Sequence, residues 1–173
     1  MGADRLTARP VSASRVVLHT LMNPEHANPM GNVHGGVVMK LVDEAAGLAA
    51  MRHARAQAVT VAIDSMSFDE PIYVGNLVTL TAELTYTGRT SMEVHVSVVA
   101  EDPLTGTQIH TNSAYLVFVA IDDQGRPRPV PALLRETDAQ ELRFQQAQER
   151  QAERTRHRQR EMLLRQHAAN EAR

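Results

Sequence analysis

Residues 28–44 read Asn-Pro-Met-Gly-Asn-Val-His-Gly-Gly-Val-Val-Met-Lys-Leu-Val-Asp-Glu, and the rest of the chain is organised around this stretch. A polar, glycine-bearing loop leads into an apolar segment that continues to about residue 53. Apolar residues recur there on nearly every side of a 3.6-residue turn, which predicts a helix from His34 to His53 that is buried almost all round. Asp43 lies within this apolar segment, where a carboxylate is costly unless it is paired or takes part in chemistry.

The start of this helix has the properties of an anion-receiving site. The first amides of a helix have no carbonyl partners within it, and the helix dipole favours negative charge there. The glycines Gly35 and Gly36 let a ligand approach the backbone closely. Asp43 follows Gly36 by seven residues, about 10 Å along the axis, which is too far to serve the same carbonyl group. A second, antiparallel copy would bring the two together, so we expect a site shared between two subunits.

The segments on either side of the helix alternate apolar and polar residues, which is typical of strands. Strands are predicted over residues 15–22, 59–68, 77–87, 92–100 and 109–121, and tight turns join the last four. The predicted fold class is α+β, with an antiparallel sheet wrapped around one long central helix. We expect a flexible N-terminal arm (residues 1–14), a body (15–131) and an Arg/Gln/Glu-rich tail (132–173), helical or partly disordered. Exposed sheet edges also predict strand pairing between subunits.

Composition narrows the possible functions. The 173-residue chain has a net charge of -2, which gives no general attraction to nucleic acid or to a membrane surface. The absence of cysteine excludes disulfides, thiolate metal sites and cysteine nucleophiles. The sequence contains no long apolar run of the kind that forms a signal peptide or a membrane span, so we expect a cytoplasmic protein. Residues 135–173 contain nine arginines and seven acidic residues, and this interleaving favours a solvated helix over an RNA-binding arm.

Several motifs occur in a recognisable order. The first is Asn28-x-x-Gly31-x-x-His34-Gly35-Gly36, followed by Lys-Leu-Val-Asp-Glu-Ala over residues 40–45. The pattern continues through residues 59–65, 71–75, 88–91 and 111–122. Together they resemble a hotdog-fold acyl-CoA thioesterase, closest to the brain-type acyl-CoA hydrolases and their bacterial single-domain relatives. The resemblance spans about residues 15–131.

The resemblance implies a hotdog domain that hydrolyses acyl-CoA to a free carboxylic acid and coenzyme A without a cofactor or metal. In such enzymes a homodimer builds the active sites, with one subunit supplying the helix-start amides and the other the acid. The dimers often assemble into a trimer of dimers (a hexamer), or a tetramer. The matching asparagine is Asn28 and the matching acid is Asp43.

Four residues are the candidate catalytic groups. Asp43 is interpreted as the general base for water or as the nucleophile, and the Gly36 amide as the donor to the oxyanion. Asn28 either orients the water or the acyl carbonyl, or holds its own loop in an Asx-turn. His34 either lines the site or begins the helix. Glu44 points about 100° away from Asp43, so we interpret it as a structural partner.

Substrate contacts and competing functions are less sharply defined by the sequence. Arg89, with Thr90 and Ser91 in the same turn, is the candidate contact for the coenzyme A phosphates, although a solvated hairpin arginine is the alternative. Met39, Leu48 and Met51 either line a slot for the acyl chain or are ordinary core residues. Two other functions remain open: a hotdog dehydratase or hydratase that uses the loop histidine His26, and a non-catalytic acyl-CoA sensor.

Overall fold

The structure is a computed structural model that describes residues 6–171, and the side chains of 165 and 167–171 lie outside the description. The elements are, in chain order, β1 (Arg9–Pro10), α1 (Val11–Ser14), β2 (Val16–Leu21), a 3-10 helix (Pro24–His26), α2 (Gly35–Ala54), β3 (Gln57–Met66), β4 (Leu77–Thr87), β5 (Ser91–Asp102), β6 (Thr107–Ile121), β7 (Leu133–Leu134) and α3 (Asp138–Glu171). They form two compact units, Met1–Glu136 and Thr137–Arg173.

Five strands of the first unit form one sheet in the order β2-β4-β5-β6-β3, and every neighbouring pair is antiparallel. α2 packs against all five strands. The alternation in β4 explains the packing, because Val78, Leu80, Ala82 and Leu84 are all buried while the residues between them are less so. The prediction of an antiparallel sheet around one long helix is therefore confirmed.

α2 buries one face rather than its whole circumference. Its buried residues include Val38, Val42 and a set of alanines that let the helix approach the sheet closely. Three larger apolar residues of the helix, Met39, Leu48 and Met51, are 42 %, 40 % and 36 % exposed. The expectation of burial almost all round was wrong for a single chain, because one sheet covers only one side of the helix.

The N-terminal arm predicted over residues 1–14 differs from the structure. Residues 9–14 form β1 and α1, β1 pairs in parallel with β7, and Val11 is only 1 % exposed. The Arg9 guanidinium donates hydrogen bonds to the backbone oxygens of Arg52 (3.3 Å) and His53 (2.8 Å) at the end of α2. Residues 1–5 lie outside the described part of the chain. At the other end the first unit extends past the predicted boundary at 131, because Leu133 is buried and belongs to β7.

The second unit consists of α3, which is 34 residues long. In it Nδ1 of His157 lies 3.9 Å from a carboxylate oxygen of Glu161. The sequence predicted a helical or partly disordered tail, and the helix reflects the high helix propensity of alanine, glutamine, glutamate and arginine. Among the helices of residues 6–171, none is long and apolar enough to cross a membrane.

Candidate active site

The loop before α2 is organised by the side chain of Asn28. Its Oδ1 atom accepts hydrogen bonds from the backbone N–H groups of Met30 (2.8 Å) and Asn32 (3.3 Å). This is the Asx-turn arrangement, in which a side chain mimics a backbone turn. Within the described residues no hydrogen bond occupies the Nδ2 amide of Asn28. Its oxygen therefore holds the loop while its nitrogen keeps two donors for a ligand.

His34 begins α2 as its N-cap residue. Its Nδ1 atom accepts the N–H of Gly36 at 2.9 Å, and its ring lies so close that a Cβ added to Gly36 would meet Nδ1 at 3.1 Å. The expectation that the Gly36 amide is free was therefore wrong, because the histidine ring caps it. Among the described residues, the amide at the helix start that no hydrogen bond occupies is that of Gly35.

Asp43 lies two turns further along α2 and is half-buried. Its Oδ1 atom accepts a hydrogen bond of 2.7 Å from the hydroxyl of Thr60 on β3. This bond fixes the carboxylate against the edge strand of the sheet and leaves Oδ2 for another partner. The neighbouring Glu44 instead pairs with Lys40 at 3.4 Å on the exposed side of the helix, as expected of a structural partner.

A cavity of about 240 Å³ opens beside the start of α2. Its lining combines apolar and polar residues, among them Asn28, Asn32, Gly35, Phe68, Glu70 and Asn112. The ring of Phe68 lies against Gly35, where an added Cβ would meet it at 3.4 Å. The structure thus brings Asn28 and Gly35 together at one cavity, whereas Asp43 does not line it and lies about 10 Å along the helix from the helix start.

The candidate phosphate contacts lie elsewhere in the same chain. Arg89 is exposed in the β4–β5 hairpin, and the backbone oxygens of Arg89 and Thr90 accept hydrogen bonds from Val130 (3.0 Å) and Ala120 (3.0 Å). Ser91 begins β5, seven residues before Val98, which pairs with the cavity residue Asn112. That separation is about 23 Å at the rise of a strand. Within one chain the hairpin and the cavity are therefore not brought together.

The structure also bears on the loop histidine His26 and on metal binding. The Nδ1 atom of His26 accepts the N–H of Asn23 at 3.1 Å and so closes the 3-10 helix. Among the side chains that the structure describes, no group of three or more His, Cys, Asp or Glu residues could hold a metal ion.

Thr60 was not singled out from the sequence, and Gly35 was named at the helix start but not as a catalytic residue. Strand alternation alone could not assign the face of Thr60, because the register of β3 on β6 shifts between Thr60 and Ala62. Gly35 could not be distinguished from Gly36, because the distinction depends on the rotamer of His34.

The sheet packed on one long central helix, with an acid on that helix and a free amide at its start, is the architecture of a hotdog-fold protein. The model of the Thioesterase superfamily matches residues 30–107. The chain belongs to this superfamily. Protein VdlD of Helicobacter pylori is 36 % identical over 143 residues, which are 83 % of this chain and 82 % of that protein.

The cytosolic acyl coenzyme A thioester hydrolase of Mus musculus is 37 % identical over 142 residues, 81 % of this chain. That match spans only 37 % of the mouse protein's length. Among solved structures, an apo-hexameric acyl-CoA thioesterase has a TM-score of 0.85 and 37 % identity, covering 88 % of this chain and 97 % of that one. The acyl-CoA hydrolase of Staphylococcus aureus, in complex with butyryl coenzyme A and coenzyme A, also has a TM-score of 0.85, with 31 % identity over 94 % of this chain and 99 % of that one.

Proposed function

We propose that this protein hydrolyses acyl-CoA thioesters to a carboxylic acid and coenzyme A. The observation that carries the proposal is the carboxylate of Asp43, held at 2.7 Å by Thr60 on the central helix of a thioesterase fold. The relatives named as acyl-CoA thioester hydrolases and the coenzyme A complex of the Staphylococcus aureus hydrolase support this substrate class. Solved structures of that hydrolase also include alanine variants of an aspartate, an asparagine and a threonine, the same residue types as Asp43, Asn28 and Thr60.

The proposed chemistry requires an acid-base group and donors for the developing oxyanion. Asp43 either removes a proton from water or attacks the thioester carbonyl carbon itself; in both cases the carbon–sulfur bond breaks and coenzyme A leaves as the thiol. The Gly35 amide and the Nδ2 atom of Asn28 line one cavity and are the proposed oxyanion donors. Gly35 replaces Gly36 in this role because His34 already accepts the Gly36 N–H.

The distances within one chain support a site shared between two subunits. Asp43 is too far from the helix start to act on a carbonyl bound there, so we propose that Asp43 of the partner subunit supplies the acid. Two features favour such a dimer. The apolar side chains of Met39, Leu48 and Met51 on α2 are partly exposed, and Val59, Val61 and Ile63 are exposed on the edge strand β3. Edge strands and apolar patches of this kind favour association between copies.

The first experiment measures thiol release from a panel of acyl-CoAs with a thiol-reactive dye. Asp43→Ala is expected to lower kcat/KM by about 100-fold or more, because a positioned acid-base group contributes at least that much. The matched control is Glu44→Ala, which removes the adjacent carboxylate from its surface pair with Lys40 and should leave the rate unchanged. Wild-type protein that binds acyl-CoA but releases no thiol from any of these substrates would show that this is not a hydrolase.

A mixing experiment tests the shared site directly. Asn28→Ala and Asp43→Ala proteins, each inactive alone, are unfolded together and refolded as a mixture. A heterodimer would contain one intact site, so random pairing restores about one quarter of the wild-type activity. If each site lies within one chain, the mixture stays as inactive as its components.

The remaining proposals concern the assembly and the coenzyme. We propose that Arg89, with Thr90 and Ser91, contacts the coenzyme A phosphates of a site built with another subunit, because the hairpin is about 23 Å from the cavity of its own chain. The hexameric assembly of the similar acyl-CoA thioesterase supports a homo-oligomer larger than a dimer. The cytosolic mouse relative supports a cytoplasmic location.

A further inference from the structure

A second group of nucleophile, base and acid lies on β6 and the segment that follows β3. The hydroxyl of Ser113 is 3.1 Å from Nε2 of His110, and Nδ1 of His110 is 3.9 Å from Oδ2 of Asp69. A hydroxyl, an imidazole and a carboxylate in this order form the arrangement that activates a serine nucleophile on several unrelated folds. The side chains of His110 and Asp69 are 46 % and 53 % exposed, so the group is open to solvent and to reagents.

A β-bulge brings the serine and the histidine together. Residues three apart on a regular strand point to opposite faces of the sheet. In β6, Asn112 pairs with Val98 and His110 pairs with Val99, so Thr111 is an extra residue between them. The extra residue turns His110 to the side of Ser113, and bulges often redirect side chains in this way next to active sites.

Hydrogen bonds hold the carboxylate in position. The backbone N–H of Asp69 donates to the carbonyl oxygen of Thr111 at 2.9 Å. The hydroxyl of Ser67 donates to Oδ2 of Asp69 at 3.0 Å and accepts the N–H of Ser113 at 3.3 Å. Asp69 is therefore anchored to the strand that carries the other two residues. Its contact with His110 is longer than a hydrogen bond, a looseness that is common before a substrate is bound.

We propose that Ser113 is a reactive nucleophile, separate from Asp43, that accepts an acyl group from an activated acyl donor. His110 acts as its base, and Asp69 orients the imidazole and stabilises its protonated form. The Ser113 oxygen attacks the carbonyl carbon while its proton moves to Nε2 of His110. The bond from the carbonyl carbon to the leaving group then breaks, and His110 returns the proton to that group. The products are an acylated Ser113 and the free alcohol or thiol.

The backbone limits the acyl donors that can react. The N–H of Ser113 is already donated to Ser67, so it does not serve a developing oxyanion. Donors with good leaving groups, such as aryl esters and thioesters, place the smallest demand on such stabilisation. We therefore expect acylation by activated esters and no attack on amides.

The test uses p-nitrophenyl acetate and follows the acetylation of each serine by peptide mass spectrometry, because nitrophenolate could also be released at the Asp43 site. Ser97 is the matched control, because it pairs directly with Ser113 on β5 and has similar intermediate exposure. Acetylation is expected at Ser113 and not at Ser97 in wild-type protein, a comparison that needs no variant. His110→Gln should slow the acetylation of Ser113 by about 100-fold. Asp43→Ala and Ser97→Ala should leave the rate of Ser113 acetylation unchanged. Equal acetylation of the two serines, an acetyl group on His110 alone, or an unchanged rate in His110→Gln would overturn the proposal.

Discussion

Thr60 is the residue on which the position of Asp43 depends in this chain. Its hydroxyl donates to Oδ1 of Asp43, and replacement by valine keeps the shape of the side chain while removing that donor. A hydrogen bond to a charged group contributes about 1.5–3 kcal/mol, so we expect Thr60→Val to lower kcat by about 10-fold or more. Steady-state kinetics with the preferred acyl-CoA measure this. A KM that rises at constant kcat would instead indicate that Thr60 contributes to substrate binding alone.

His34 offers a sharp distinction between capping and acid-base catalysis. Because its ring accepts the Gly36 N–H, His34→Ala should lower the free energy of unfolding by about 1 kcal/mol, the usual effect of losing an N-cap. Asparagine is also a good N-cap residue, so His34→Asn should restore both stability and kcat. Urea denaturation and thiol release on the two variants provide the comparison. An inactive but fully stable His34→Asn protein would show that the imidazole itself takes part in the reaction.

The sequence identified site residues by residue type and by the pattern around them, but it did not show which of their atoms are free to act. The carboxylate of Asp43 stood out because it interrupts an apolar helix, whereas Asn28 was singled out by the resemblance to hotdog-fold thioesterases. The capped state of Gly36 and the meeting of His110 with Ser113 were not predictable. The first depends on a side-chain rotamer, and the second on a one-residue bulge that reverses the normal alternation of β6.

At the scale of the element, periodicity was sufficient for α2 and for the five strands of the sheet, because each has a long apolar face. It failed for residues 9–14, where the elements are too short to show a period. Their position depends instead on tertiary contacts, such as the hydrogen bonds from Arg9 to the end of α2. Short segments that are stabilised by partners distant in sequence leave little signal in their own residues.

The end of α2 makes the stability of the fold sensitive to pH. His53 is fully buried, with Nε2 3.0 Å from the carbonyl oxygen of Pro131. Burial lowers the pKa of His53 below its usual 6.5, the bond to Pro131 opposes this change, and the nearby charge of Arg9 adds to it. The unfolded chain therefore binds the proton more readily than the folded one. The stability contributed by the neutral ring is fully present above 6.5 and decreases as the pH falls towards the folded pKa.

Urea denaturation between about pH 8 and pH 5 tests this expectation. The free energy of unfolding should decline below pH 6.5 in wild-type protein. His53→Gln, which cannot take up a proton, should decline less over the same interval, whatever its absolute stability. Parallel pH curves for the two proteins would show that another group is responsible.

At the scale of the whole molecule, the two edges of the sheet differ in what lies beside them. β3 has three exposed β-branched residues and packs against α2, on which Met39, Leu48 and Met51 are partly exposed. The opposite edge, β2, pairs only with β4 and exposes Val17 and Leu21. The β3 edge therefore exposes more apolar residues than the β2 edge, and it is the edge that we propose to be covered by a second copy.

Matched charge substitutions on the two edges distinguish these surfaces. Val61 on β3 is 49 % exposed and Val17 on β2 is 42 % exposed, so lysine at either position should cost the isolated chain little. Val61→Lys would bury an unpaired charge at the proposed interface, and we expect it to dissociate the dimer and abolish thiol release together. Val17→Lys should retain the dimer and its activity. Light scattering coupled to size-exclusion chromatography measures the assembly, and thiol release measures the activity. Because the proposed site takes Asp43 from the partner subunit, a Val61→Lys monomer that remained fully active would rule out the shared site, even if the hydrolase function itself stood.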